Sequence, residues 1–403
     1  MRTAIGALKA VGAALAMAIL ASCGSGGGGG DGGGGGGGAT AALSTGTLRV
    51  ALTDAPSCGF DQVNVTVSRV RVHQAGGADE ATAGWSDIEI SPARKINLLD
   101  LMNGVLEELG QTALPEGKYT QIRLVLEPNT GSVLANSVVP TGGTEQALDT
   151  PSAAQSGIKL NHTFTVEMDQ LADIVLDFDA CRSIVRRGNG TYGLKPVIKA
   201  LPRTQTGIVG TVDVALGGVV VSAQKDGEVV KETVPNSTGE FALLPIDPAG
   251  SPYDVVITAT DRDTAVVAAV PVVSEMTTRI STTAAPISLP MSASPSTRDV
   301  SGTVTPEEAL AGVRALQAVG GVSAVEIAHV NANETTGAYV LALPTGAPVL
   351  ATYAEPLPLT FAPEAGSAGQ YTIEAAATGY VTQTATVDVS SADAVQDFAL
   401  VAP

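Results

Sequence analysis

The sequence is poor in the residues that most often carry enzyme chemistry. Its 403 residues include three histidines, three cysteines and one tryptophan. His73, His162 and His329 are scattered along the chain, and neither a G-x-S-x-G elbow nor an H-E-x-x-H motif occurs. These absences argue against a serine hydrolase, a zinc enzyme and a disulfide-dense toxin.

Positive charge and long apolar runs are also scarce. The chain has 22 basic and 40 acidic residues, which give a formal net charge of −18. Such a surface repels nucleic acid and anionic lipid headgroups. No apolar run of bilayer-spanning length follows residue 22, which argues against a polytopic membrane protein.

Small and β-branched apolar residues are abundant instead. Hydrophobic residues make up 44% of the sequence although aromatic residues make up only 3%, a composition that suits thin β-sandwich cores. At about 150 residues per domain, the length predicts two or three domains. We therefore expect a mainly β protein.

Residues 1–22 have the pattern of a bacterial secretory signal, with Arg2 and Lys9 flanking the start of a short apolar run. The segment ends in Leu-Ala-Ser before Cys23, which resembles the lipobox of bacterial lipoproteins. The resemblance implies that the Cys23 thiol is acylated and becomes the new amino terminus; an ordinary signal peptide with a chance cysteine is the alternative. Because Gly24 is not the aspartate associated with inner-membrane retention, the resemblance implies an outer-membrane lipoprotein if the cell is Gram-negative. The glycine-rich remainder of residues 23–40 predicts a flexible tether.

The first folded domain is predicted over residues 41–203. Apolar and polar residues alternate over 46–53, as in a half-buried strand. A one-residue shift of the apolar phase within the strand at 62–72 predicts a β-bulge near Ser68. Apolar residues at helical spacing predict a short helix within 96–109, with Asn97 as its cap. Further strands are predicted at 85–90, 118–127, 163–167, 173–178 and 192–201.

Several short motifs of this domain occur together and in a fixed order. They are Leu52–Pro56, Gly84-Trp85, Asn97–Leu101, Leu114–Leu124, Leu176–Asp179 and Leu194–Ile198. In this order they resemble the domain of unknown function 4382, which is common in bacterial lipoproteins. The resemblance covers most of the first domain, and it implies no particular activity.

Cys58 and Cys181 are the two cysteines of this domain. In an exported protein we expect such a pair to form a disulfide. The bond would join the loop after the first strand to the segment after Asp179, and closing a loop of this length is worth about 4 to 5 kcal/mol. A redox-active pair is the alternative, but no C-x-x-C motif supports it.

After Arg203 one pattern appears twice. The equivalent segments are Gly210–Val212 with Gly302–Val304, Thr238–Leu243 with Thr336–Leu341, and Tyr253–Thr260 with Tyr371–Thr378. Each copy resembles a carboxypeptidase regulatory-like module of the transthyretin-like type, which implies β-sandwiches over 204–290 and 298–403. We expect a proline-containing linker at 291–297 to hold these sandwiches apart, and the proline-rich insertion around 344–369 to be an irregular loop.

Asp177 and Asp179 are the candidate site residues. Two residues apart in a predicted strand, they would share one face of the sheet. They are candidate ligands for calcium or, with a distant acid, candidate carboxylates for glycosidic cleavage. A solvated strand edge is the simpler interpretation. Trp85, the single tryptophan, is interpreted as a core anchor, with a sugar-stacking surface as the alternative.

The sequence therefore predicts three tandem β-sandwich domains, the first with a short helix, after a signal peptide and a glycine-rich tether. We expect a lipid-anchored cell-envelope protein with a non-enzymatic binding, adhesion or scaffolding role. Its expected partner is an envelope protein or glycan rather than nucleic acid, and we expect neither catalytic nor cofactor-binding residues. An envelope hydrolase and a calcium-dependent carbohydrate-binding protein, both using carboxylates of the first domain, are the alternatives.

Overall fold

The computed structural model of the protein describes residues 44–54, 59–188, 190–292 and 296–403. Strands account for 52% of the residues and helices for 6%. The prediction of a mainly β protein, with tandem β-sandwiches and only short helices, is confirmed. In these ranges no helix is both long and apolar enough to cross a membrane.

The first sandwich is built from short strands and two short α-helices, α1 (Pro151–Gln155) and α2 (Ala180–Ser183). Its strands are β1 (Thr45–Asp54), β2 (Phe60–His73), β3 (Ser86–Asn97), β4 (Glu107–Pro115), β5 (Gly117–Tyr119), β6 (Gln121–Leu126), β7 (Ser137–Pro140), β8 (Gln146–Asp149), β9 (Ile158–Leu160), β10 (Phe164–Val166), β11 (Leu171–Phe178), β12 (Ile184–Arg186), β13 (Tyr192–Leu194) and β14 (Ile198–Pro202).

Two sheets of this sandwich enclose its core. One has the strand order β14-β11-β1-β4, and the other has the order β12-β13-β8-β7-β2-β6-β9 with β3 also paired to β2. The alternating residues Leu48, Val50 and Leu52 of β1 are fully buried in this core. Among the described residues, β14 pairs only with β11 and β9 only with β6, so each strand is the edge of its sheet.

Local sequence signals in this sandwich had mixed outcomes. The predicted bulge is confirmed, since the register of β2 against β3 shifts between Val67 and Arg69. The predicted helix is wrong beyond Leu101: a single 3₁₀ turn spans Leu98–Leu101, and Asn97 caps it by accepting from the backbone N–H of Leu99. Asn103 and Gly104 then adopt backbone conformations with positive φ, Val105 and Leu106 lie outside any helix or strand, and Leu109 belongs to β4.

The second and third sandwiches have matching strand orders. The second contains β15 (Gly207–Thr211), β16 (Val220–Lys225), β17 (Glu228–Thr233), β18 (Glu240–Leu243), β19 (Tyr253–Thr258), β20 (Ala265–Val270) and β21 (Thr277–Arg279). The third contains β22 (Thr297–Thr305), β23 (Gly312–Gln317), β24 (Val325–Asn331), β25 (Ala338–Pro344), β26 (Val349–Thr352), β27 (Ala362–Pro363), β28 (Gln370–Ala376), β29 (Gln383–Asp388), β30 (Ala394–Val395) and β31 (Phe398–Ala399). Short 3₁₀ turns lie at Pro248–Gly250, Glu307–Ala309 and Ala365–Ser367.

The sequence repeat marks equivalent turns in these two sandwiches. Gly239 and Gly337 both have positive φ, at 78° and 64°. In each copy the glycine carbonyl accepts a hydrogen bond from the start of the same loop, from Val212 N–H at 2.8 Å and from Val304 N–H at 2.9 Å. A side chain at either glycine would collide with that valine's carbonyl oxygen, which explains why the T-G pair recurs.

The second and third sandwiches are not held apart. The insertion expected to be an irregular loop contains β26, which pairs in parallel with β20, and β27, which pairs with β26. One sheet therefore runs through both, in the order β17-β16-β19-β20-β26-β27. Val349 and Ala351 of β26 are 7% and 2% exposed against the second sandwich. Burial of these apolar side chains stabilises a strand here although prolines flank it.

Candidate functional site

A cleft of about 710 Å³ opens along the side of the first sandwich. The edge strand β9, with Asn161 and His162, forms one wall, and the edge strand β14 forms the other. Helix α1 contributes Pro151–Ala153 to the lining. Because an edge strand presents backbone N–H and C=O groups that are not used within its own sheet, this cleft lies between two rows of hydrogen-bonding backbone.

The cleft differs in charge from the rest of the chain. None of the 17 described residues that line it is acidic, although the sequence has 40 acidic residues. Its cationic residues are Lys159 and Lys199, and Lys159 is exposed. Lys199 Nζ donates to the carbonyls of Val229 and Val230 at 3.0 and 3.1 Å, so Lys159 is the lysine placed to meet a ligand.

The groove continues toward the second sandwich. A second cleft of about 570 Å³ shares His162, Ala200 and Leu201 with the first and reaches the loop at Pro245–Pro248. Burial lowers the pKa of His162 below its ordinary value, so this shared position is neutral at physiological pH. Together the two clefts form a groove with an apolar and polar lining, in which Lys159 and Lys199 are exposed in the first cleft and Asp247 is exposed in the second.

Asp177 and Asp179 lie at a different place, where the first and second sandwiches meet. Asp177 is the penultimate residue of β11 and is only 8% exposed, and its Oδ1 is 2.5 Å from Lys231 Nζ of β17. Asp179 caps α2 by accepting from Arg182 N–H at 2.9 Å, and its Oδ2 is 3.3 Å from Arg182 Nε. The interpretation of a solvated strand edge is wrong for Asp177, because the second sandwich covers it.

This arrangement bears on the calcium hypothesis. Each of the two carboxylates already has a cationic partner, Lys231 for Asp177 and Arg182 for Asp179. In the described ranges, no group of three or more histidine, cysteine or acidic residues is placed to hold a metal ion. The geometry therefore gives both aspartates structural partners.

All three sandwiches meet at Glu326, whose side chain is 4% exposed. Its carboxylate pairs with Arg182 of the first sandwich and, at 3.4 Å, with Arg314 of the third. Gln224 of the second sandwich donates to the Glu326 carbonyl at 2.8 Å and accepts from its N–H at 2.7 Å. We call these four residues the three-way junction, and three of them, Arg182, Gln224 and Glu326, line a cavity of about 190 Å³.

Titratable groups around this cavity have displaced pKa values. Desolvation raises the pKa of Glu232 to about 8 and lowers the pKa of His329 to about 3. Burial also raises the pKa of Asp179. At neutral pH the native protein therefore holds a largely protonated Glu232 and a neutral His329, which limits charge repulsion in the junction.

Asp54 is a further buried acid of the first sandwich. It ends β1, is 1% exposed, and accepts from Ala180 N–H at 3.0 Å through Oδ1. Its Oδ2 has no hydrogen-bond partner among the residues that the structure describes. Burial raises the pKa of Asp54 well above its usual range. Asp54, Asp177 and Asp179 thus converge at one end of the first sandwich.

Several other predicted residues fall outside the site. Trp85 is not a core anchor: it is only partly buried, and its ring lies 5.0 Å from the Arg71 guanidinium and 4.8 Å from that of Arg123. Its Nε1 donates to the Asp79 carbonyl at 2.9 Å, so the Trp85 side chain stabilises the loop before β3. The His73 ring lies 5.1 Å from the Trp85 ring at a tilt of 54°, and His73 is far in sequence from His162 and His329.

The cysteine predictions fall largely outside the described residues. Residues 1–22, the acylation site Cys23, the tether at 23–40 and Cys58 all lie there. Cys181 is in α2 and lines the cavity at the three-way junction. The pairing of Cys58 with Cys181 stays a prediction.

The cleft between β9 and β14 was not predicted from the sequence. Its walls are short strands, β9 and β14, whose edge position depends on the pairing of residues far apart in the chain. A usable signal was the stretch 150–162, which lacks acidic residues in a strongly acidic chain. The partner of Asp177 was missed for the same reason, since Lys231 is 54 positions away.

Comparisons with known proteins give one family and distant structural likenesses. No curated protein sequence matches the chain significantly. A leucine-rich repeat protein from Bacteroides thetaiotaomicron is 13% identical with a TM-score of 0.16, over 62% of this chain and 27% of that one. The pilus adhesin SpaC from Lactobacillus rhamnosus GG is 9% identical with a TM-score of 0.12, over 88% of this chain and 41% of that one. The chain thus spans less than half the length of either structure.

The family comparison agrees with the sequence motifs of the first sandwich. The matched region begins at β1, includes β9, which is one wall of the cleft, and ends just before β14, which is the other wall. Residues 45–196 of this chain match the family described as domain of unknown function (DUF4382).

Proposed function

We propose that the protein is a lipid-anchored, non-enzymatic cell-envelope protein whose first sandwich binds an extended, acidic peptide segment of another envelope protein. The observation that carries this proposal is the cleft between the edge strands β9 and β14. An extended peptide can add a strand to an exposed sheet edge, where main-chain hydrogen bonds supply affinity and side-chain pockets supply specificity.

The charge of the cleft favours the acidic class of ligand. In a chain with a formal net charge of −18, a lining without carboxylates and with an exposed Lys159 attracts negative charge locally. The apolar side chains in the lining, Ile158, Leu160 and Leu201 among them, suit alternating apolar residues in the ligand. A carboxylated glycan shares the charge but lacks the backbone groups that edge strands recognise.

The remaining parts of the chain fit an anchored binding protein. The predicted acylation of Cys23 and the glycine-rich tether would attach the first sandwich to the outer membrane. The second and third sandwiches, which resemble carboxypeptidase regulatory-like modules, would act as a rigid support because they share a sheet. A disulfide between Cys58 and Cys181 would tie the loop after β1 to α2.

Peptide binding is tested with synthetic ten-residue peptides in which valine alternates with glutamate or, in the control set, with lysine. We expect the glutamate peptides to bind the full chain and the lysine peptides not to bind. Lys159→Glu should weaken binding at least tenfold, since it reverses the charge in the cleft. The matched variant Lys118→Glu changes an equally exposed strand lysine outside the cleft and should bind as the wild type does.

Either of two results would contradict the binding proposal. One is equal binding of glutamate and lysine peptides. The other is unchanged binding by Lys159→Glu. Anchoring is tested separately: metabolic labelling with an alkyne fatty acid should mark the wild type and leave Cys23→Ala unlabelled, while Cys181→Ala keeps the label.

A hydrolase is the second candidate, because Asp54, Asp177 and Asp179 converge. Such an enzyme would need a substrate to reach these acids, but the cavity beside Asp177 and Asp179 is only about 190 Å³. Lys231 and Arg182 also occupy two of the carboxylates. Turnover of chromogenic glycosides by the wild type, abolished in Asp54→Asn, would favour the hydrolase; equal and negligible turnover by both proteins favours the binding protein.

A further inference from the structure

The outer edge of β18 in the second sandwich is covered by a turn of the first sandwich. The Asn103 carboxamide donates to the Glu240 carbonyl at 3.2 Å and accepts from the Ala242 N–H at 2.6 Å. The Glu240 carbonyl also accepts from the Asn236 N–H at 2.8 Å, so it holds two hydrogen bonds. This sheet edge therefore binds a hydrogen-bonding group from a neighbouring sandwich.

The equivalent edge in the third sandwich belongs to β25. In the sequence repeat, Ala338 and Val340 of β25 occupy the positions of Glu240 and Ala242 of β18. Each of the two strands is the edge of its sheet, β25 beside β22 and β18 beside β15, and among the described residues β25 pairs only with β22. Val340 is 55% exposed, whereas its counterpart Ala242 is half-buried under the turn. The third sandwich therefore has the same edge in an open state.

The backbone groups of Val340 point outward from this edge. The Val304 N–H donates to the Gly337 carbonyl at 2.9 Å, at the position that continues the antiparallel ladder of β22 with β25. Hydrogen-bonded pairs alternate with non-bonded pairs along such a ladder, so Ser301 and Val340, three positions further along, form a non-bonded pair. The N–H and the C=O of Val340 therefore both face away from β22, where another strand can reach them.

β25 is an uncharged strand in a strongly acidic chain. Its sequence is Ala-Tyr-Val-Leu-Ala-Leu-Pro, and the small side chains of Ala338, Val340 and Ala342 stand on the exposed face of the sheet. Edge strands usually carry charged side chains, prolines or bulges that prevent pairing with another chain, and β25 has only Pro344 at its end. Two copies with a formal net charge of −18 each repel one another, and an uncharged edge lets them approach with the least repulsion.

We propose that β25 pairs antiparallel with β25 of a second copy of this chain, about a two-fold axis at Val340. Each Val340 N–H then donates to the Val340 carbonyl of the other copy. Each Ala342 N–H donates to the Ala338 carbonyl of the other copy, which accepts it beside the Asn333 N–H just as the Glu240 carbonyl accepts two donors in β18. Because the strand has seven residues, the interface is small and the dimer depends on protein concentration.

Disulfide trapping in the full chain tests the register of this pairing. In a hydrogen-bonded antiparallel pair the two Val340 Cα atoms would lie about 5.5 Å apart, within the range of about 4.4 to 6.8 Å that a disulfide spans. Val340→Cys, made in a Cys23→Ala background, should therefore give a disulfide-linked dimer on mild oxidation, seen as a doubled mass on a non-reducing gel. Val395→Cys is the matched control: Val395 is more exposed, at 75%, but lies in β30 on the other side of β22, so this variant should stay monomeric.

Sedimentation over a concentration series tests association without an added thiol, and circular dichroism establishes that each variant folds. The average mass of the wild type should rise toward twice the monomer mass. Val340→Lys should lower the association constant at least tenfold, because it places two like charges opposite each other at the axis, and Val395→Lys should associate as the wild type does. Equal trapping of the two cysteine variants, or a wild type that stays monomeric at its highest soluble concentration, would overturn the proposal. So would association that Thr386→Lys on the edge strand β29 abolishes and Val340→Lys does not.

Discussion

The three-way junction gives a stability prediction that can be worked from its geometry. Arg182→Met removes the first sandwich's contribution to the Glu326 carboxylate and leaves Arg314, at 3.4 Å, as its remaining cationic partner. The Glu326 side chain is only 4% exposed. Breaking a buried pair by removing one partner costs about 3 to 5 kcal/mol. Because Arg314 compensates in part, we expect a loss of about 3 kcal/mol in the free energy of unfolding.

A double-mutant cycle separates this pair from other effects of the substitutions. The variants are Arg182→Met, Glu326→Gln and the two combined, and we expect a coupling energy of about 2 kcal/mol. Lys95→Met is the matched control, since its exposed partner Glu145 is 44% exposed and such pairs contribute at most about 1 kcal/mol.

Urea unfolding followed by tryptophan fluorescence is the assay. Trp85 is the only tryptophan and lies in the first sandwich, so the signal reports how strongly that sandwich is stabilised by its neighbours. Circular dichroism recorded in parallel shows whether the whole chain unfolds in the same transition. A coupling energy below about 0.5 kcal/mol, no larger than that of the exposed pair, would refute the reasoning.

Three further predictions follow from named contacts. Burial raises the pKa of native Glu232 from 4.5 to about 8, so between these pH values the native state keeps a proton that the unfolded chain has lost. The free energy of unfolding should therefore fall by about 2 kcal/mol between pH 6 and pH 8. Urea titrations of Glu232→Gln should lack this decrease. Gly302→Ala would place its Cβ 1.8 Å from the Gln396 carbonyl oxygen and should lower the free energy of unfolding by about 2 kcal/mol or more. Gly217→Ala is the control, because its Cβ would meet no atom within 4 Å. Equal urea midpoints for the two variants would contradict this prediction. Calcium should not raise the thermal unfolding midpoint, because Asp177 and Asp179 already have cationic partners; a calcium-dependent rise that Asp177→Ala and Asp179→Ala abolish would contradict it.

The parts of the fold that could be predicted depend on local sequence. The alternation in β1, the bulge in β2 and the cap at Asn97 are set by a few neighbouring residues. The same holds for the repeated turns at Gly239 and Gly337, which need positive φ wherever the chain passes close to a carbonyl.

The parts that could not be predicted depend on distant pairings. Leu101 and Leu109 fit a helical period, but the left-handed turn at Asn103 and pairing with β1 place Leu109 in a strand. The prolines around β26 indicated a loop, although burial against β20 decides otherwise. The candidate site shows the same limit, since no local pattern indicates that Lys231 covers Asp177 or that β9 and β14 face one cleft.

Peptide binding between two sheet edges is the central claim, and backbone hydrogen exchange tests it most directly. Amide exchange of the full chain is compared with and without the valine-glutamate peptide. We predict slower exchange in β9 and β14, over Ile158–Leu160 and Ile198–Pro202, because an added strand covers their outer N–H groups. Protection confined to other strands, or none at saturating peptide, would contradict the account.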